Sequence, residues 1–135
     1  MKIIDIDKAC RQLCDDYTFV LEILGDFIVE CKMSDEKIST NLTKLKNTKD
    51  GLLDDRLLLI QIIKTVHNLI SSAAYLCCEK MLQVLIEFKH IIYTNVLRLQ
   101  LAGIITDLSL LENKYLEFIK CYHDLSSFLS LSSSI

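Results

Sequence analysis

Proline is absent from this chain of 135 residues and glycine occurs only three times, which removes most of the ways a backbone turns sharply. Without proline there are no polyproline segments, no proline kinks and no Pro-rich linker. Three glycines are too few for a glycine-rich phosphate loop or a tight-turned β-barrel. Apolar residues make up 51% of the chain, and a chain of this length suits one domain with one core. No segment alternates with period two for long enough to form a sheet, and no repeat of 20 to 50 residues is apparent. The expectation is a single all-α domain over residues 1–135.

Apolar spacing divides that domain into five helices. A short one covers about Asp5 to Asp15, with Ile6, Ala9, Cys10 and Leu13 on one side. A second runs from Tyr17 towards Lys46 along Val20, Leu24, Phe27, Cys31, Ile38, Leu42 and Leu45, with Ser34 as a point of interruption. Asn47 to Gly51 ends it, and Asp54 is placed to cap the third, which reaches Leu76 along Leu59, Ile62, Val66, Leu69 and Ala73. The fourth spans about Cys78 to Tyr93 through Met81, Leu85, Phe88 and Ile92. In the last, Leu108, Leu111, Tyr115, Phe118, Tyr122, Leu125 and Leu129 form a heptad-like seam suited to shallow-angle packing. Ser109 and Glu112 have capping-box spacing, although the seam extends back towards Ile104; the serine-rich end, 126–135, is expected to fray. These elements describe an antiparallel four-helix bundle with a short additional N-terminal helix.

Charge and cysteine usage bound the partners. The net charge is −3 with basic residues scattered among acidic ones, so nucleic acid is not expected as a ligand. The longest uninterrupted apolar run, Ala73 to Cys78, is far shorter than a bilayer span, and the carboxylates of Asp5 and Asp7 sit where a secretory signal would be apolar. Neither membrane insertion nor export is expected. Cys10, Cys14, Cys31, Cys77, Cys78 and Cys121 mostly continue apolar stripes, which reads as core thiols in a reducing compartment, cytoplasmic or also nuclear. The sharper alternative is a zinc site using Cys10 and Cys14 at i, i+4, but other ligand pairs with zinc-site spacing are lacking, so no metal is expected.

One polar residue stands out. With Val66 at the centre of the third helix's stripe, His67 lies about 100° round, where the core face meets solvent. Its neighbours one and two turns away are Lys64, Ser71 and Ala74, two of them small, and Thr65 to Cys78 is the longest stretch without a charged residue. Helix geometry alone makes this an ordinary boundary histidine, as it does His90 and His123.

The segment Val66-His67-Asn68-Leu69-Ile70-Ser71-Ser72-Ala73-Ala74-Tyr75-Leu76 resembles the signature of histidine-containing phosphotransfer (HPt) domains, approximately H-x-L-K-G-S-[AS]-x-x-[LI]-G. Asp16 to Phe27 is similar to the family's second helix and Gly103 to Tyr122 to its last, so the resemblance spans most of the chain. It implies that His67 accepts a phosphoryl group from a receiver-domain aspartate and passes it to another receiver, as a relay intermediate without independent catalytic activity. Mg²⁺ would then be bound by the receiver, and no cofactor by this chain. The family lysine that holds phosphoryl oxygens is replaced by Ile70, and the two glycines by Ser71 and Cys77. Lys64, one turn before His67, is placed to supply the missing charge, with Ser71 and Ser72 as the other neighbours of the phosphoryl group. Apolar docking candidates flanking the stripes are Ile60 and Ile70 on the third helix and Phe19, Ile23 and Ile28 on the second. The alternative, favoured by Ile70, is a divergent HPt-like bundle that binds a receiver or other signalling partner without phosphotransfer. No nucleotide-binding segment is present that would make the chain a kinase.

Overall fold

The computed structural model describes residues 2–47, 52–102 and 108–133. These form five helices, α1 (Ile6–Gln12), α2 (Tyr17–Asn47), α3 (Leu52–Tyr75), α4 (Glu79–Ala102) and α5 (Leu108–Ser133), with no strand among the described residues. α3 packs on α2 and α4, α5 packs on the same two helices, and α1 rests on α2. The result is a helical bundle.

Local chemistry explains the starts and stops. The Asp5 carboxylate accepts the Lys8 N–H at 3.2 Å at the start of α1, and Asp16 accepts the Phe19 N–H at 3.0 Å at the start of α2, each satisfying an otherwise orphaned donor. Between them Cys14 and Asp15 both adopt left-handed backbone, with φ of 63° and 54°. That turn ends α1 before Cys14, so Cys10 and Cys14 do not share a helix face. Among the described residues no three His, Cys, Asp or Glu side chains converge as a metal site. α3 closes through Cys77, whose φ is 57°, with the Cys78 N–H donating to the Ala73 carbonyl at 3.0 Å. This is the left-handed helix end for which glycine is the cheapest residue. The Cys77 carbonyl in turn accepts the Asp5 N–H at 2.9 Å, tying the start of the chain to the α3–α4 turn.

Several boundaries differ from those read in the sequence. α2 passes through Ser34 without interruption, because Ser34 continues the core stripe and is buried. α3 begins at Leu52, which puts Asp54 inside the first turn instead of at the cap. α4 continues nine residues past Tyr93. The Thr94-Asn95 step that breaks the apolar rhythm is absorbed by a hydrogen bond from the Asn95 amide to the Ile91 carbonyl at 2.9 Å, and Val96 and Leu99 resume the buried stripe. α5 starts at Leu108, so Ser109 is already helical, and it persists to Ser133 because Phe128 and Leu129 pack against the core. Gly51 and Ile104 lie outside the described residues.

The core runs the length of the bundle through Leu24, Ile38, Leu59, Ile62, Phe88 and Phe118, all fully buried. By length and composition the segment Asp55–Tyr75 of α3 is apolar enough to cross a membrane, with mean hydropathy 1.4. The same segment supplies Leu59, Ile62, Ile63, Val66, Leu69 and Ala73 to the core. Cys31, Cys77, Cys78 and Cys121 are buried, Cys10 is half-buried and Cys14 is exposed. Burial drives the Cys31 thiol far above its usual range and pushes Cys78 up to about 12, so both remain protonated.

Polar ties link α5 to its neighbours. Tyr115 and Tyr122 both donate to the carboxylate of Asp35 on α2, the second at 2.9 Å, and Lys114 pairs with Glu87 on α4. Gly25 sits in the middle of α2 where an added Cβ would meet Leu129 Cδ2 at 3.6 Å, an ordinary contact. Gly25→Ala is therefore expected to stabilise the fold by about 0.5–1 kcal/mol, the gain in helix propensity, as read by the urea midpoint at unchanged m.

Candidate functional site

His67 is exposed on the flank of α3 that faces α4, the position its offset of about 100° from the core stripe dictates. Across the helix interface Lys89 stands at the equivalent shoulder of α4, and its Nζ lies 2.9 Å from His67 Nδ1. An ammonium only donates, so Nδ1 is the acceptor and the neutral ring carries its proton on Nε2. Lys89 Nζ also lies 5.9 Å from the ring centroid of Tyr93, one turn further along α4, a cation–π contact that holds the side chain over the interface. Ile63, Lys64, His67, Asn68, Lys89 and Tyr93 together line a shallow recess of about 230 Å³. The imidazole is thus flanked by two ammonium groups, and its recess contains no carboxylate.

Lys64 also borders a wider groove of about 510 Å³ between α2 and α3, with Met33, Glu36, Lys37, Thr40, Asn41, Gln61 and Thr65. A strongly anionic group above His67 would therefore meet Lys64 on one side and Lys89 on the other.

The remaining candidates scatter. Ser71 is exposed one turn beyond His67, on the same flank. Ser72 lies on the other flank of α3, where its hydroxyl donates to Glu30 on α2 at 3.3 Å. Ile60 is half-buried on the α4-facing flank, and Ile70 is half-buried against the core. Ile23 and Ile28 are likewise packed on the core, and Phe19 is exposed near the start of α2. Because Ser72 meets Glu30, and Gln61 to Thr65 meet Met33 to Asn41, the part of α2 level with His67 lies well beyond Phe19 and Ile23. The structure brings together His67 and Lys64, with Ile60 along the same strip, and leaves the α2 residues apart.

Sequence reasoning missed Lys89 and Tyr93. The contact spans 22 positions and two helices, so no helical periodicity reveals it. A signal was present: residues 56–78 and 88–106 contain no Asp or Glu.

No family model matches the chain, and neither the curated proteins nor the solved structures contain a match.

Proposed function

We propose that the chain is a phosphorelay intermediate of the HPt type, in which His67 accepts a phosphoryl group from a receiver-domain aspartate and hands it to a second receiver. The observation that carries this reading is an exposed imidazole between Lys64 and Lys89, on a helix whose sequence around it resembles the HPt signature. On this reading the four long helices are the antiparallel four-helix bundle of that family, α1 is the additional N-terminal helix, and the protein works in the cytoplasm or nucleus.

The chemistry is nucleophilic displacement at phosphorus. A nitrogen–phosphorus bond forms as the bond from phosphorus to the aspartyl oxygen breaks; the carboxylate leaves on the receiver and the ring releases its N–H proton to water. Either ring nitrogen becomes a nucleophile only when Lys89 lets go of Nδ1. Attack through Nδ1 needs its lone pair uncovered, and attack through Nε2 needs the proton moved to Nδ1, where an ammonium has no acceptor. The group that draws Lys89 away is the phosphoryl itself, whose charged oxygens are better acceptors than a neutral imidazole. Lys89, with Lys64, thereby replaces the cation that Ile70 does not provide. Mg²⁺ and most of the stabilisation of the transition state come from the receiver, so this chain needs no cofactor.

A second reading, docking without transfer, draws on the same contact: an imidazole whose lone pair is engaged by Lys89 is a poor nucleophile until that contact breaks. Incubation with phosphorylated receiver domains, following label into the wild type and His67→Gln, separates the two. Transfer to the wild type alone is the expected result. Binding without label in either protein supports docking alone, and label in His67→Gln equal to the wild type moves the acceptor elsewhere.

A further inference from the structure

Two acid-free stretches of sequence cover 56–75 of α3 and 88–102 of α4, and the packing of those helices brings them side by side. Arg56 and Gln100 mark one end of the seam: with its amide oxygen turned to the guanidinium, Gln100 accepts from Arg56 at 3.0 and 3.2 Å. His67 and Lys89 meet further along it. At 100° per residue, Arg56, Ile60, Lys64, His67 and Ser71 project from the α4-facing and outer side of α3, and Lys89, Tyr93, Leu97 and Gln100 from the matching side of α4. Glu87, the last acid of α4, points the other way and is tied to Lys114 on α5. The described seam positions on these two helices therefore carry three cations and a histidine, Glu36 of α2 meeting Lys64 only across the α2–α3 groove, in a chain whose net charge is −3.

It is also apolar. Tyr93 and Leu97, one turn apart on the same side of α4 as Lys89, are 49% and 57% exposed, and Leu57, next to Arg56 on the outer side of α3, is 49% exposed.

We infer that the α3–α4 seam, from Arg56 and Leu97 to His67, is the docking surface for a protein partner that sets carboxylates opposite Arg56, Lys64 and Lys89 around an apolar contact. The identity of that partner as the phosphorylated receiver rests on the proposed function; the charge and apolar character of the seam do not. Charge complementarity selects this occupant. Three cations are too few for the many phosphate contacts that hold a nucleic-acid backbone, and they lack the long basic cluster that anchors a protein to anionic lipid. Carboxylates on a protein pair with them one to one, guide the encounter and leave Leu57, Tyr93 and Leu97 to seal the contact.

The test uses the full chain with Arg56→Glu and Leu97→Ser, neither of which lines the recess around His67, and Lys120→Glu on the exposed side of α5 as a control. Thermal melts check that each is folded. Label transfer from a phosphorylated receiver is measured at subsaturating and saturating receiver, alongside labelling by phosphoramidate, a phosphoryl donor too small to dock. The expected result is a loss of about tenfold for Arg56→Glu and Leu97→Ser at subsaturating receiver, recovered at saturation. Phosphoramidate labelling is unchanged, Lys120→Glu behaves as wild type, and Arg56→Glu shows a weaker salt dependence.

Seam variants that transfer at the wild-type rate would overturn the docking surface while leaving His67 as the acceptor. If the wild type takes label from neither donor, the relay reading fails instead, and direct titration with unphosphorylated receiver decides the seam. Binding weakened by Arg56→Glu supports it. Equal binding by all variants, no binding at all, or tighter binding to phosphatidylserine vesicles or duplex DNA overturns it.

Discussion

Replacing Lys89 by methionine is expected, on the proposed relay function, to slow phosphoryl transfer to His67 about tenfold, even though it frees the ring nitrogen. Two effects oppose each other. Removing the ammonium from Nδ1 releases the lone pair, worth about 0.5–1 kcal/mol for an exposed hydrogen bond to a neutral acceptor. It also removes a cation that would sit on the phosphoryl oxygens, and a charge-assisted contact of that kind contributes about 1.5–3 kcal/mol. The second effect wins by about 1–2 kcal/mol, which is the tenfold. Lys89→Arg, which keeps the charge on a longer and planar head group, is expected to recover most of the rate. A spectroscopic readout isolates the mechanism: the ¹⁵N shifts of His67 at high pH should show Nε2–H in the wild type and a shift towards the mixed tautomers of a free imidazole in Lys89→Met. A rate unchanged in Lys89→Met, or an identical tautomer in both proteins, would remove Lys89 from the site.

Removing the Asp35 carboxylate is expected to be the most damaging surface-proximal change to stability, at about 3 kcal/mol for Asp35→Ala. One carboxylate accepts from two tyrosines on α5, and hydrogen bonds to charged groups contribute about 1.5–3 kcal/mol each, less where Tyr115 is half-open to water. The arrangement also makes stability depend on alkaline pH. Burial first, and the hydrogen bond to Asp35 second, push the Tyr122 hydroxyl up to about 12 from its ordinary 10. The folded state thus holds this proton more tightly than the unfolded chain does. The contribution is complete below pH 10 and is lost as pH rises from about 10 to 12, reaching about 2 kcal/mol at the top of that window. Urea melts across this range should show the loss in the wild type and a flatter profile in Tyr122→Phe. Parallel profiles would mean that Tyr122 is not the group responsible.

Helix positions were legible where apolar residues repeat without interruption. Leu59, Ile62, Val66, Leu69 and Ala73 on α3, Leu76 just past its end, and Leu111, Phe118, Tyr122 and Leu125 on α5 are all buried as their spacing implies. Helix ends were less legible, because polar residues there were read by their local preference. Asn95 is tolerated mid-helix by bonding back to Ile91, and the serines from Ser126 to Ser133 are helical because Phe128 and Leu129 anchor the same turns. Tertiary packing outweighed propensity in both cases. The exposure of His67 and its nearness to Lys64 followed from helix geometry; its contact with Lys89 did not, since one-dimensional periodicity carries no information about which shoulder of the next helix lies opposite. For the same reason the basic residues looked dispersed along the chain, although folding gathers Arg56, Lys64 and Lys89 onto one seam.

That gathering sets a local positive charge within a net-negative molecule. Removing the three cations of the α3–α4 seam from the totals of 15 basic and 18 acidic residues leaves 12 against 18, so a face of +3 belongs to a body of −6. In dilute salt such a seam is drawn towards a negatively charged neighbour before contact. Above roughly 0.1 M salt, where screening acts over about 10 Å, the long-range attraction fades and only short-range pairs at the seam persist.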